Sequence, residues 1–157
     1  MKKYAWLSFL VFLAILSYLR EIVFLSVNAI IAGNKSFYAK TTKIPFFLTK
    51  SPEVLIQYKY ILTVGFTILF AVTTIIGLKL SFRNKLPYYF GIMVYSLCFF
   101  VAALVLSYSL LTTSLDNVYS FLRLIIEYLH NPIVFIILSA SYMGYRYSQK
   151  TNLPKHY

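Results

Sequence analysis

Four long apolar segments limit what this chain can fold into more than anything else in it. From Tyr4 to Leu19 there is no charged side chain, and the helical pattern can continue through Arg20 and Glu21 to Ala32, where GNK stops it. A second segment follows KSPEV and is most apolar from Tyr58 to Leu78. The third runs from Leu86 to about Leu111, and the fourth from near Asp116 to Tyr147 with Pro132 inside it. In lipid every backbone N–H and C=O must be satisfied internally, and a helix of roughly 20 residues does this across a ~30 Å hydrocarbon layer. The expectation is therefore an all-α fold: a polytopic membrane protein with four transmembrane helices in an antiparallel bundle. The whole chain is one domain, with spans at about 4–31, 52–80, 86–111 and 116–147.

Composition excludes the main alternatives. Charged residues make up 12% of the chain and hydrophobic residues 60%, where a soluble domain carries about 25% charged residues. Fifteen Lys and Arg oppose four acids, Glu21, Glu53, Asp116 and Glu127. No compact basic run occurs, so the excess is assigned to anionic lipid headgroups and to orientation in the bilayer, not to nucleic acid. Cys98 is the single cysteine and has apolar neighbours, which rules out an intramolecular disulfide and fits an inert buried thiol. The basic and apolar start resembles a signal sequence but has no small-x-small site before Arg20, so it reads as an uncleaved first span.

The connections differ in kind. Ser51, Pro52 and Glu53 suit the N-cap, first turn and dipole of the second helix. Lys79 to Lys85 forms a tight turn, and TTSLDN is equally short. The one long loop, Gly33 to Lys50, is basic and aromatic. It can lie on the headgroups with Phe46 and Phe47 dipping in, or be an ordinary exposed loop. Lys and Arg totals nearly cancel between the two sides, but the short turns carry three (Lys79, Arg83, Lys85) against none. That asymmetry favours both termini inside, in the cytoplasmic membrane of a bacterium whose Lys-, Ile-, Asn- and Tyr-rich usage fits low GC content.

The chemistry-bearing residues concentrate in YSFLRLIIEYLHNP, Tyr119 to Pro132. At 100° per residue, Arg123, Glu127 and His130 share one helix face. Along a straight helix, His130 lies ~25 Å and Arg123 ~36 Å from Tyr147, while Arg20 and Glu21 lie ~24–26 Å from Tyr4. The two groups meet near the outer edge of the hydrocarbon, so a pair crossing between helices is expected, Arg20 with Glu127 or Arg123 with Glu21. Pro132 also frees a backbone carbonyl that the His130 imidazole could use. Three readings of the cluster stand: a packing device, a site for a substrate or partner, and a proton-handling group. No HExxH, no GxSxG and no paired intramembrane acids occur. No catalytic, cofactor or metal residues are assigned.

The layout resembles the exosortase F-associated proteins, small four-span membrane proteins encoded beside an exosortase. The likeness rests on LREIVFL closing the first span, the loop leading to FFLTKSP, the turn LKLSFRNK and the final YSFLRLIIEYLHNPIVFIILSASYMGYRY. It implies an accessory or assembly subunit that acts through membrane protein partners in a sorting or cell-surface system, with no catalytic residues to carry over. Two rival classes have structural requirements. A small four-helix transporter needs a continuous polar path. An exosortase-like transpeptidase needs Cys98 beside Arg123 and His130.

Overall fold

The computed structural model describes residues 3–33, 44–112 and 115–151, and among these every regular element is a helix. They are α1 (Lys3–Ile31), α2 (Pro45–Leu48), α3 (Pro52–Ser81), α4 (Leu86–Thr112), α5 (Leu115–Leu129) and α6 (Ile133–Thr151). Three of them are long and apolar enough to cross a membrane, and four segments are if α5 and α6 together count as one span. The all-helical, membrane-type architecture expected from the apolar segments is thus present.

Local chemistry sets the ends. Helix α1 closes on Gly33, whose φ of 59° is the left-handed conformation that a glycine adopts without steric penalty. Pro52 opens α3, and Glu53 lies in its first turn. Ser51 holds the N-cap position, but its hydroxyl donates to Glu53 Oε2 at 3.4 Å and caps no backbone N–H. After the extended Phe82, Asn84 Oδ1 accepts from the Leu86 N–H at 3.1 Å and starts α4.

Helix α3 is the centre of the structure. Of its span 39% is buried, against 22% for α1 and 11% for α4. Leu13 and Leu16 of α1, Phe70 and Leu78 of α3, and Phe135 and Tyr142 of α6 form the main core together with Phe82. Helices α3, α4 and α5 meet through Ala71, Tyr95 and Leu129, and the Tyr95 hydroxyl donates to Thr74 Oγ1 at 3.2 Å. A third cluster joins Val27, Phe47 and Leu55. Phe47 therefore turns into the protein's own packing instead of dipping into headgroups, while Phe46 stays exposed and packs edge-on against Phe47 and Tyr58. The Ser26 hydroxyl fixes this corner by accepting from the Ile44 N–H at 2.7 Å. The rest of the basic loop, including Lys43, lies outside the described residues.

The fourth segment is not one straight helix. It breaks at His130–Pro132, and α5 and α6 are bent by 64°. Pro132 supplies no N–H and crowds the carbonyl one turn earlier. Asn131 Oδ1 then accepts from the Ile133 N–H at 3.1 Å and starts α6. The bend also changes the depth count. The stretch from His130 back to Arg123 adds about 5 Å along the α6 axis in place of roughly 10 Å, so Arg123 lies ~30 Å from Tyr147 and not ~36 Å.

Candidate functional site

The polar residues gather where α1, α3 and the α5–α6 break converge. Arg20 lies on the inward face of α1, in helical register with the buried Leu13, Leu16 and Val27. Glu21, one position on, is exposed. The Arg20 guanidinium sits over the Phe24 ring at 5.2 Å, one turn ahead. Its Nε is buried with no hydrogen-bond partner. The charges of Glu127, Glu21 and Arg123 all act on Arg20, with that of Glu127 the strongest.

Arg123 and Glu127 pair within α5. Arg123 Nε donates to Glu127 Oε1 at 2.8 Å, with the two side chains 67% and 49% exposed. The expected pair between helices does not form as a direct contact: among the described residues, the ion pair is the one inside α5. The reason is local. An i,i+4 pair needs only two side-chain rotamers, whereas a crossing pair needs two helices held to within a few tenths of an ångström.

His130 departs from its two neighbours. It is 1% exposed, stacks on Phe70 at 5.5 Å and 26°, and lies near Phe66. Its Nε2 is 2.6 Å from Thr67 Oγ1. The Thr67 hydroxyl in turn donates to the Thr63 carbonyl at 2.7 Å. With that proton committed, Nε2 must be the donor to Thr67, so the neutral ring carries its proton there. Nδ1 is then a buried acceptor with no partner, and no freed carbonyl serves the imidazole. One turn outward along α3, the Lys59 ammonium donates to Asn28 Oδ1 at 3.0 Å.

Thus Arg20, Arg123 and Glu127 share an electrostatic neighbourhood, His130 faces inward beside Arg20, and Glu21 leaves on the other side of α1. Sequence reasoning missed Thr63 and Thr67. Their signal was their spacing with Lys59 on one face of α3, at i, i+4 and i+8.

Cys98, only partly buried, packs against the cluster of Ala71, Tyr95 and Leu129, and makes no hydrogen bond among the described residues. The His130 nitrogen that is bonded goes to Thr67, not to the thiol. No group of three or more metal-ligating side chains occurs among the described residues. Comparison with protein-family models, with curated proteins and with solved structures finds no match in any of the three.

Proposed function

We propose that this is a small integral membrane subunit that works through protein partners and not by chemistry of its own. The setting proposed is an exosortase-linked sorting or surface-assembly system in a bacterial inner membrane. The observation that carries the reading is the Arg123–Glu127 pair, which points away from the protein's own core on the exposed side of α5. A charge pair at the edge of an apolar surface gains little stability, but it fixes the orientation of a docking partner. The test is mild-detergent purification of the tagged chain with the exosortase co-expressed. Co-purification with wild type and its loss with Glu127→Arg, at unchanged accumulation, is the expected result. Equal recovery of the exosortase with both would overturn the reading.

Four spans, with both termini cytoplasmic, complete the proposal, the bent α5–α6 pair serving as the fourth. Contact register supports alternating directions. Against α3, contacts step backwards along α1 (Asn28 with Lys59, Phe24 with Phe66, Phe9 with Gly77) and along α4 (Tyr95 with Thr74, Gly91 with Leu78). Along α6 they step forwards, from Phe135 with Gly77 to Tyr142 with Phe82. Single cysteines in a Cys98→Ser background should be labelled by an impermeant maleimide from outside intact cells at positions 43 and 116, but not at 83. Labelling at 83 without 116 would reverse the topology.

A second reading, a small transporter, has one observation in its favour. Thr63, Thr67, Thr74 and Ser81 line a single face of α3 across most of its length, and all but Thr63 are buried. Substrate flux in proteoliposomes without any partner protein would favour it over the subunit reading.

A further inference from the structure

We propose that Arg20, on the inward face of α1, anchors a binding site for the phosphate of a membrane lipid headgroup. Arg20 is an arginine turned into the bundle, which in a membrane-spanning helix needs a compensating group. Among the described residues it makes no ion pair and no hydrogen bond, and its Nε is buried. A cation–π contact with Phe24 covers one side of the guanidinium plane. Helix α1 packs closely on α3, while α5 packs on α3, α4 and α6.

The charge count defines the ligand. Glu127 is bonded to Arg123, and Glu21 leaves on the exposed face of α1. Arg20 and Lys59 then remain as positive charges at this end; Lys59 bonds Asn28 Oδ1, whereas Arg20 has no such partner, which calls for an anion beside it. A phosphodiester carries one charge and offers the paired oxygens that a guanidinium fork bonds two at a time.

Depth agrees with this. Arg20 is ~24 Å along α1 from Tyr4, about 6 Å short of a ~30 Å hydrocarbon layer, a distance that an arginine side chain spans by snorkelling. A lipid supplies phosphate at that level continuously. Free phosphate would have to leave water, and it carries more than one charge at neutral pH.

The test uses the full chain, delipidated in a neutral detergent. The probes are phosphatidylglycerol, phosphatidylethanolamine, phosphate-free diacylglycerol and inorganic phosphate. Both phospholipids should raise the Tm saturably and remain bound at one per chain in native mass spectrometry. Diacylglycerol and inorganic phosphate should do neither. Arg20→Gln should weaken phospholipid binding about tenfold, the scale of one lost charge-assisted bond. Arg20→Lys keeps the charge without the fork and should bind between the two, which also covers failure of the glutamine variant to accumulate. Lys79→Gln, at the opposite end of α3 where the ammonium lies over Tyr88, serves as the control that binds like wild type. The proposal is overturned if Arg20→Gln or Arg20→Lys binds phospholipid like wild type, or if diacylglycerol matches the phospholipids. A full response to inorganic phosphate alone would overturn the lipid source. Unchanged lipid binding by Arg20→Gln with loss of a co-purifying protein would assign the arginine to a partner's carboxylate instead. The purified chain needs no exosortase for this, so the result stands apart from the partner reading.

Discussion

Phe135→Ala is expected to cost the purified protein about 2–3 kcal/mol of stability in detergent. Phe135 is fully buried between α1 and α3, with Trp6 stacked on it at 6.2 Å and 27°. In a soluble core, removing a ring costs both its transfer from water and the cavity left behind. Helices separated within lipid or detergent stay in an apolar medium, so most of the transfer contribution drops out and lost packing remains. Roughly 100 Å³ of removed side chain at about 24 cal/mol per Å³ gives the figure stated. Phe135→Leu should cost less than half as much. The measurement is unfolding by added denaturing detergent, followed by near-ultraviolet circular dichroism. A Phe135→Ala protein within about 0.5 kcal/mol of wild type would show that the helices close the space, and that this layer does not set their packing.

Gly77→Val addresses the same layer by overfilling it. A Cβ on Gly77 would lie 3.0 Å from Phe135 Cε2 and 3.0 Å from Phe9 Cγ. Phe135 is enclosed on all sides, so α1 or α6 must move away from α3, at a cost of about 1–3 kcal/mol. Gly77→Ala should fall at the low end of that range. Gly65 is the internal control: a Cβ there meets nothing within 4 Å. On helix propensity alone, Gly65→Ala should be neutral or stabilising by up to about 1 kcal/mol. Pairing Gly77→Ala with Phe135→Leu should recover part of the loss, because the smaller side chain vacates the space that the new methyl needs. Strict additivity would mean that the glycine is not there to admit the ring.

These two residues also mark where sequence reading reached its limit. Helix boundaries were legible because their causes are local: Gly33 with positive φ closes α1, and Pro52 opens α3. The charged face of Arg123 and Glu127 was legible from spacing, and their pairing obeys that spacing. His130 was not. Its angular position put it with the charges, but Thr67, Phe66 and Phe70 of a distant helix draw the ring into the core. Phe47 failed in the same way: an aromatic in a basic loop is ambiguous until Val27 and Leu55 are known to lie beneath it. Pro132 announced a disturbance, but nothing local fixes an angle of 64°, which depends on what α5 packs against.

That angle bears on membrane thickness. The apolar part of α6, Ile133 to Tyr147, rises roughly 22 Å, well short of a ~30 Å hydrocarbon layer. Leaning over at 64°, the 15 residues of α5 add about 10 Å of height in place of roughly 22 Å, with Arg123 and Glu127 on its exposed side. Read as one span, the broken pair reaches about 32 Å, close to the hydrocarbon thickness, beside three helices of roughly 40–45 Å. Lipid next to α5 and α6 then needs no thinning, while the longer α1, α3 and α4 must tilt or carry their ends into the headgroups.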